Sequence, residues 1–206
     1  MVAMVFAMVF ATLLTAAPAA AAPLPGMEVQ DEDATCTAGF AAQGLDGAYY
    51  LMTSGHCDDG DGSPWTGHGD TLLGPITASE DNGADRDAAI IRLDPAAGVP
   101  IGAIAGRYPV RDVLTPDRIH PGLPVCKFGA ISGETCGEVT GVDGFLVRTN
   151  LFSLVGDSGS PAFVKNPDGT ASAVGILIGS PVGDDFTTYF TMVDPLLSQW
   201  GLRIVP

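Results

Sequence analysis

Basic residues are scarce in this sequence. Among 206 residues there are 9 Lys and Arg against 24 Asp and Glu, which gives a formal net charge of −15. Nucleic acids and anionic membranes are bound through clustered Lys and Arg, so neither is expected as a partner. The acidic balance instead indicates a well-solvated surface.

Charged residues of both signs make up only 16% of the chain, whereas apolar residues make up 46%, enough for a buried core in one or two small domains. The 27 Gly and 16 Pro are many for a helical protein and indicate short strands joined by turns. Strands are predicted at 37–42, 47–54, 71–78, 87–93, 123–129, 136–141, 144–150, 161–165, 172–178 and 186–192.

Residues 1–22 lack charged side chains altogether. An apolar stretch from Val2 to Leu14 leads into small residues suited to cleavage, which predicts a secretory signal peptide over residues 1–21. No Lys or Arg precedes this stretch, so a retained anchor is the alternative. Pro18 and the shortness of the bulky apolar part favour cleavage. We therefore expect a secreted protein with no stable membrane association after cleavage.

Only 4 cysteines are present, and no Cys-x-x-Cys spacing occurs, which disfavours a zinc site. Four cysteines in an exported chain indicate two disulfides. Of the three possible pairings we favour Cys36–Cys57 and Cys126–Cys136. The first joins the first strand to the segment that carries His56, and the second spans a turn-forming sequence.

One helix is predicted near the C-terminus. Asp194 suits the N-cap, Pro195 suits the first helical position, and Gly201 suits the stop. We interpret this helix as a packing element.

A serine lies between glycines in Gly156-Asp157-Ser158-Gly159-Ser160. Serine is a poor nucleophile until a base and an oxyanion site surround it. The flanking glycines permit a sharp turn that exposes the Ser158 hydroxyl and directs the amides of Gly156 and Ser158 at one spot. The string alone is equally typical of a glycine-rich hairpin. Together with His56, at the end of an apolar run, it indicates catalysis.

Several further segments form a recognisable set: Thr53-Ser54-Gly55-His56-Cys57, Asp87–Arg92, Val125-Cys126-Lys127 with Thr135-Cys136-Gly137, Thr149-Asn150, and Leu197–Gly201. Together with Gly156–Ser160, they resemble the chymotrypsin-type serine proteases, most of all the bacterial secreted streptogrisin and α-lytic protease group. The resemblance covers about residues 34–206. It implies an all-β fold of two antiparallel six-stranded Greek-key β-barrels (trypsin-like) with a short C-terminal helix.

The resemblance implies a catalytic triad of His56, Asp87 and Ser158, in the chain order that this fold requires. It also implies an oxyanion hole built from the amides of Gly156 and Ser158. Asp85 is a rival for the acid, but Asp87 is preferred because it adjoins an apolar run that supplies burial.

Other titratable groups receive a structural interpretation. His68 and His120 are predicted to be exposed loop histidines. Asp58, Asp59 and Asp61 suggest a calcium loop, but the glycine and glutamate positions of an EF-hand are not met, so a solvated turn is favoured.

Animal relatives in the resembled family neutralise the aspartate that matches Asp157 with a new N-terminal ammonium, but no Ile-Val-Gly-Gly start is present here. The bacterial group uses a basic residue directly after the first cysteine of the second disulfide, where this chain has Lys127. We predict that a Lys127–Asp157 ion pair holds the oxyanion loop.

The resemblance assigns the substrate pocket to Phe152, Ser153, Val155, Leu177 and Ile178. No acid lies at the base of this pocket, so Arg or Lys before the scissile bond is disfavoured and an apolar residue is expected. Ile178 occupies the position of a serine that supports the aspartate in the group. The group's pocket disulfide is missing, and Phe152 lies near one of its positions.

The predicted segments are a signal peptide (1–21), an acidic Pro-rich loose arm (22–34), an N-terminal β-barrel (35–107), an inter-barrel connection (108–122), and a C-terminal β-barrel with the terminal helix (123–206). The predicted function is a secreted, monomeric serine endopeptidase that hydrolyses protein or peptide substrates through an acyl-enzyme, with no metal or cofactor. The alternative is an exported binding protein that keeps this scaffold without catalysis, a possibility raised by the altered substrate strand.

Overall fold

The computed structural model of the protein describes residues 21–83 and 85–206. The predicted signal peptide lies outside the described residues, except for Ala21. In the part of the chain that is described, no helix has the length and apolar character needed to span a membrane. The fold is mostly β with one short helix, which confirms the predicted class.

The described residues form fifteen strands and one α-helix. In chain order these are β1 (Glu28–Gln30), β2 (Thr35–Thr37), β3 (Ala41–Gly44), β4 (Tyr49–Thr53), β5 (Pro64–Gly67), β6 (Thr71–Asp81), β7 (Asp87–Arg92), β8 (Val110–Val113), β9 (Pro124–Gly129), β10 (Gly133–Asp143), β11 (Leu146–Thr149), β12 (Pro161–Lys165), β13 (Ala171–Gly179), β14 (Thr188–Met192), α1 (Val193–Trp200) and β15 (Leu202–Ile204). Short 3₁₀ segments occur at Gly55–Cys57, His68–Asp70, Pro95–Ala97 and Pro116–Arg118.

The strands form two sheets that match the predicted two-barrel architecture. The C-terminal sheet runs β12-β9-β10-β11-β14-β13 and closes through the β12–β13 pairing into a six-stranded barrel, with β8 added at the edge of β13. The N-terminal sheet runs β15-β3-β4-β7-β6-β5-β1-β2 and curls into a half-barrel. The N-terminal unit thus departs from the closed six-stranded barrel that was expected.

Three apolar clusters form the core of the protein. One, around the fully buried Trp65, fills the N-terminal sheet, and another, around Phe190, fills the C-terminal barrel. The third lies between them and packs Phe40 and Met52 of one unit against Phe163 of the other. Each such side chain contributes about 1.5–3 kcal/mol when it is fully buried. The third cluster therefore fixes how the two units face each other.

Residues 22–34 are not the loose arm that was predicted. β1 pairs with both β2 and β5, and the Ile101 amide donates to the Pro23 carbonyl at 2.8 Å. The physical reason is Val29, whose side chain is completely buried in the N-terminal core.

The predicted inter-barrel connection and the C-terminal boundary also differ from the structure. Within 108–122, β8 pairs in parallel with β13 because Val110 is buried in the central cluster. At the C-terminus, β15 returns to pair antiparallel with β3, so the last residues belong to the N-terminal sheet.

The C-terminal helix begins at Val193, with Met192 at the N-cap, rather than after an Asp194 cap. Asp194 instead lies in the first turn, where a carboxylate interacts favourably with the helix dipole. Gly201 ends the helix in the left-handed conformation, as expected, and its amide donates to the Leu197 carbonyl.

Candidate active site

The structure brings His56, Asp87 and Ser158 together in one hydrogen-bonded line. The Nδ1 atom of His56 lies 2.7 Å from Oδ2 of Asp87, and its Nε2 atom lies 2.9 Å from Oγ of Ser158. The backbone amide of His56 also donates to Oδ1 of Asp87 at 3.0 Å. A carboxylate can only accept, so Nδ1 carries the proton and Nε2 is left to accept from the Ser158 hydroxyl.

The three side chains come from three separate parts of the chain. His56 lies in the 3₁₀ segment directly after β4, Asp87 is the first residue of β7, and Ser158 lies in the loop between β11 and β12. Gly55 allows the His56 segment to lie against β6, because a Cβ at this position would come within 2.0 Å of the Glu80 carbonyl oxygen. Any side chain there would push His56 away from Asp87.

Two buried hydroxyls connect the segments that carry these residues. Thr191 Oγ1 accepts from the Asp87 amide at 3.2 Å and donates to the Asp85 carbonyl at 3.0 Å. Ser54 Oγ donates to the Leu177 carbonyl at 2.5 Å. Since Thr191 belongs to the C-terminal barrel and Ser54 to the N-terminal sheet, the two contacts tie the units to each other on either side of the candidate triad.

Ile178 leaves the acid with few partners. Within the described residues, the Asp87 carboxylate accepts hydrogen bonds from His56 alone. Ile178 lies with Asp87 along a cavity of about 370 Å³ and offers no hydroxyl to it. The position of Asp87 therefore depends on His56 and on the Thr191 contact to its backbone.

We predict that Thr191→Val weakens the positioning of Asp87. Valine keeps the shape but leaves the buried Asp87 amide without its acceptor, which costs about 1–3 kcal/mol of unfolding free energy. We expect kcat to fall while KM changes little. Thr191→Ser, which retains the hydroxyl, serves as the matched control in denaturant unfolding and peptide hydrolysis. A valine variant with unchanged kcat would contradict this positioning role.

The pKa of the His56 imidazole is raised above its ordinary value of 6.5. The hydrogen bond to Asp87 is the largest cause, and partial burial opposes it by disfavouring the charged ring. The ring is therefore a stronger base than a free histidine, as proton abstraction from serine requires.

The loop before Ser158 leaves two amides available next to its hydroxyl. Gly156 has φ 93°, a backbone conformation that favours glycine. Hydrogen bonds hold the backbone around these amides. The Thr37 hydroxyl donates to the Gly156 carbonyl at 2.8 Å, and the Thr37 amide donates to the Ser158 carbonyl at 2.7 Å. The Asp157 carbonyl, which shares a peptide plane with the Ser158 amide, accepts from the Ser160 amide at 2.9 Å and from the Ser160 hydroxyl at 2.5 Å. Neither the Gly156 nor the Ser158 amide donates to an acceptor within the described residues.

A buried ion pair lies beneath this loop. Lys127 Nζ is 2.8 Å from Oδ2 of Asp157, and both side chains are completely buried. The Ser132 hydroxyl contacts both partners, and the amides of Ile131, Ser132 and Leu154 also donate to the Asp157 carboxylate. The Asp157 carboxylate thus accepts hydrogen bonds both from the 131–132 turn and from the loop that leads to Ser158.

The pKa values of this pair follow from its surroundings. Burial by itself raises the pKa of Asp157, but the hydrogen bonds from Lys127, Ser132 and Leu154 bring it below the ordinary range. Burial lowers the pKa of Lys127, and the hydrogen bond and charge of Asp157 partly restore it. The many donors keep Asp157 ionised and able to hold the loop.

Both predicted disulfides, Cys36–Cys57 and Cys126–Cys136, are present. The first anchors the residue next to His56 to β2. The sulfurs of the second lie near Glu134 in a spacing that suits a metal, but they are bonded to each other and cannot serve as thiolate ligands.

The residues assigned to the substrate pocket differ widely in burial. Ser153 is buried, and Phe152 packs against Phe186 with the ring centroids 5.3 Å apart. Leu177 is only 2% exposed because its side chain points into the core of the C-terminal barrel. Val155 is 98% exposed because its side chain points into solvent. These last two therefore differ from the expected lining.

The rival residues lie elsewhere. Asp85 accepts from the Phe145 amide at 3.3 Å rather than from a histidine. His68 and His120 are exposed, as predicted.

The chain is similar to curated proteins and to several solved structures, while no protein-family model matches it. The uncharacterised protein Rv1815 of Mycobacterium tuberculosis (strain ATCC 25618 / H37Rv) is 32% identical over 168 residues, which cover 74% of this chain and 71% of the relative. Nocardiopsis protease (NAPase) has a TM-score of 0.73 and 24% identity, covering 90% of this chain and 100% of its own. Alpha-lytic protease homolog N4 has a TM-score of 0.72 and 28% identity, covering 88% of this chain and 98% of its own.

The sequence match and the structural matches support different conclusions, the first about the family and the second about the fold. The match to Rv1815 is long enough on both chains to define a family, and the structural matches define the scaffold. The chain therefore belongs to the family of Rv1815 and has the chymotrypsin-like fold of the bacterial streptogrisin and α-lytic proteases.

Proposed function

We propose that this protein is a secreted serine endopeptidase that hydrolyses peptide bonds through an acyl-enzyme on Ser158. The observation that carries the proposal is the line of hydrogen bonds from Asp87 through His56 to Ser158, at 2.7 and 2.9 Å. The serine-protease fold supports it, since this constellation on this scaffold performs acyl transfer. The two disulfides fit an oxidising, extracellular location.

In the first half-reaction the Ser158 oxygen attacks the carbonyl carbon of the scissile bond. Nε2 of His56 takes the hydroxyl proton, and the carbonyl oxygen becomes an oxyanion. As the intermediate collapses, the C–N bond breaks and His56 returns the proton to the leaving amine. Asp87 holds the ring in the correct tautomer and stabilises the imidazolium that forms.

The amides of Gly156 and Ser158 stabilise the oxyanion. Donors aimed at developing charge contribute several kcal/mol when they are fixed in advance. Ser160, which donates to the Asp157 carbonyl, and the Lys127–Asp157 pair supply that fixation here.

In the second half-reaction water replaces the amine. His56 takes a proton from the water as its oxygen attacks the ester carbonyl, and then returns a proton to Ser158 as the acid product leaves. Nucleophile, base and oxyanion donors all come from the chain itself, so the proposed mechanism requires no metal or cofactor.

We predict that kcat/KM rises with pH as His56 loses its proton. The imidazolium cannot accept the Ser158 proton, so activity is low below the pKa of His56 and full above it. Because that pKa is raised, the midpoint should lie above pH 6.5. Asp87→Asn, which removes the cause of the shift, should lower both the rate and the midpoint. A midpoint below 6.5 in the wild-type protein would contradict this assignment.

The proposal is tested by the appearance of new amino termini in an unfolded protein substrate. Purified, disulfide-intact protein is incubated with the substrate, and the cleavage products are identified by mass spectrometry. Wild-type protein should release peptides, and Ser158→Ala purified in the same way should release none. Equal cleavage by both would trace the activity to a contaminant. No cleavage by either would favour an exported binding protein on this scaffold.

A further inference from the structure

Two segments flank the candidate primary pocket, and the structure joins them directly. One is the segment 151–155, which leads to Ser158. The other is the segment 178–186, which comprises the last two residues of β13 and the loop after it. The Ser153 amide donates to the Asp185 carbonyl at 2.9 Å. The Phe152 and Phe186 rings pack across the same gap. Phe152, Ser153 and Ile178, which the resemblance assigns to the substrate pocket, lie on these two segments, so contacts between the segments limit the size of a side chain that enters between them.

The innermost contact between the segments is made by three hydroxyls. Ser153 Oγ lies 2.7 Å from Ser180 Oγ and 2.9 Å from Thr188 Oγ1. Thr188 Oγ1 in turn donates to the Leu151 carbonyl at 2.7 Å. Ser153 and Thr188 are buried, whereas Ser180 is partly exposed.

The directions of these hydrogen bonds follow from counting protons. Each hydroxyl has one proton, and that of Thr188 is committed to Leu151. Ser153 must therefore donate to Thr188, and Ser180 must donate to Ser153. The chain of hydroxyls is thus internally satisfied, and its outer member presents only lone pairs to an incoming side chain.

The Ser153–Ser180 contact closes the space between the two segments at that point. Carbon atoms approach non-bonded atoms to about 3.5–4.0 Å, so no methyl group passes between oxygens that are 2.7 Å apart. A side chain must stop at Ser180. A long apolar or aromatic group would remain in solvent or break the hydroxyl chain.

Charged side chains are also disfavoured. A carboxylate would face the lone pairs of Ser180, and the carboxylates nearest in sequence, Asp184 and Asp185, are exposed. Asp184 instead accepts from the Phe186 amide at 2.9 Å. Neither Asp184 nor Asp185 is thus a buried partner for a basic side chain.

We infer that the hydroxyl chain Ser180–Ser153–Thr188 closes the primary pocket and restricts cleavage to peptide bonds that follow a small, uncharged residue: glycine, alanine or serine. The inference rests on the proposed function, since it concerns the specificity of that site. From the sequence we expected an apolar residue before the scissile bond. The inference limits the side chain of that residue to at most a methyl or hydroxymethyl group.

The experiment uses peptidyl diphenyl phosphonates, which modify a reactive serine with loss of phenol and need no turnover. The probes differ only in the side chain on the carbon bonded to phosphorus, which takes the place of the residue before the scissile bond. This side chain is methyl, hydroxymethyl, benzyl, carboxyethyl or aminobutyl. Intact mass follows the modification of Ser158. We expect the methyl probe to react at least about 100-fold faster than the benzyl probe and than either charged probe, since pocket discrimination per added methylene is about 10- to 200-fold.

Ser180→Gly and Ser180→Ala test whether the hydroxyl chain is the cause. Removing the Ser180 hydroxyl should raise the ratio of the benzyl-probe rate to the methyl-probe rate about tenfold or more. Ser63→Gly, a matched substitution in the loop before β5, should change neither rate.

The outcomes separate the inference from the proposed function. Comparable rates with the methyl and benzyl probes in the wild-type protein would overturn the inference, as would failure of all peptidyl probes while a simple alkyl fluorophosphonate still labels Ser158. Failure of Ser180→Gly to admit the benzyl probe would also overturn it. If the fluorophosphonate itself does not label Ser158, the proposed function fails and the inference fails with it.

Discussion

His56→Ala is expected to lower the rate of peptide hydrolysis by roughly 10⁴- to 10⁶-fold, because the members of a triad act as one unit. The imidazole is the only group of the described residues hydrogen-bonded to the Ser158 hydroxyl, at 2.9 Å. Without it the serine proton has no acceptor and the leaving amine has no donor. His56 is the exposed residue of a short 3₁₀ segment, so unfolding free energy should change far less than activity.

His68→Ala is the matched control, since His68 is an exposed histidine in another 3₁₀ segment of the same sheet. It should retain full activity. Initial rates with a short peptide ester, in which slow turnover remains measurable, distinguish the two variants. A His56→Ala variant within about tenfold of the wild-type rate would contradict the assigned base.

Lys127→Met is expected to cost about 3–5 kcal/mol of unfolding free energy, because it leaves the Asp157 carboxylate buried without its cation. Methionine fills a similar volume, so the loss reports the charge rather than a cavity. The Asp157 carboxylate also orders the 131–132 turn and the Leu154 amide, and the loop that carries Gly156 depends on it. We therefore expect Ser158 labelling to fall as well, even under conditions in which the variant remains folded.

Lys165→Met provides the control for this prediction. Lys165 also pairs with an acid, Glu134, but its side chain is partly exposed, and such pairs contribute about 0–1 kcal/mol. Urea unfolding monitored by Trp fluorescence gives the stability of both variants. If Lys127→Met unfolds at the same urea concentration as Lys165→Met and labels at the wild-type rate, the ion pair does not hold the loop.

The part of the site that was predictable from sequence lies in short local strings. Gly156–Ser160 and Thr53–Cys57 carry their chemistry within five residues, so the candidate triad, the disulfides and the Lys127–Asp157 pair could be predicted and are found in contact. Burial decided between Asp85 and Asp87, because only Asp87 begins a strand whose following residues are core.

The hydroxyls that position the site were not predicted, because their partners are remote. Thr191 lies 104 residues from Asp87, and Ser54 lies 123 residues from Leu177. A lone Ser or Thr in a strand has no local pattern that reveals such a partner. Ser180 was left out of the predicted pocket for the same reason, since its hydroxyl contacts Ser153, 27 residues away in the chain.

The fold was predicted where strands are long and apolar, and missed where pairing creates the strand. β5, β8 and β15 are short, and each lies at a turn or beside a proline, so the residues alone favour a loop. β8 forms by parallel pairing with β13 and β15 by antiparallel pairing with β3. Similarly, a position in the family motif gives the location of Val155 and Leu177 but not the direction of their side chains.

The most direct measurement of the central claim is the mass of the protein after incubation with an alkyl fluorophosphonate near pH 8, with peptide mapping of the adduct. A serine that is activated by His56 and flanked by oxyanion donors should gain one phosphonyl group, located on Ser158 and absent from Ser158→Ala. Folded protein with both disulfides intact that remains unmodified, or that carries the label on another residue, would contradict the account.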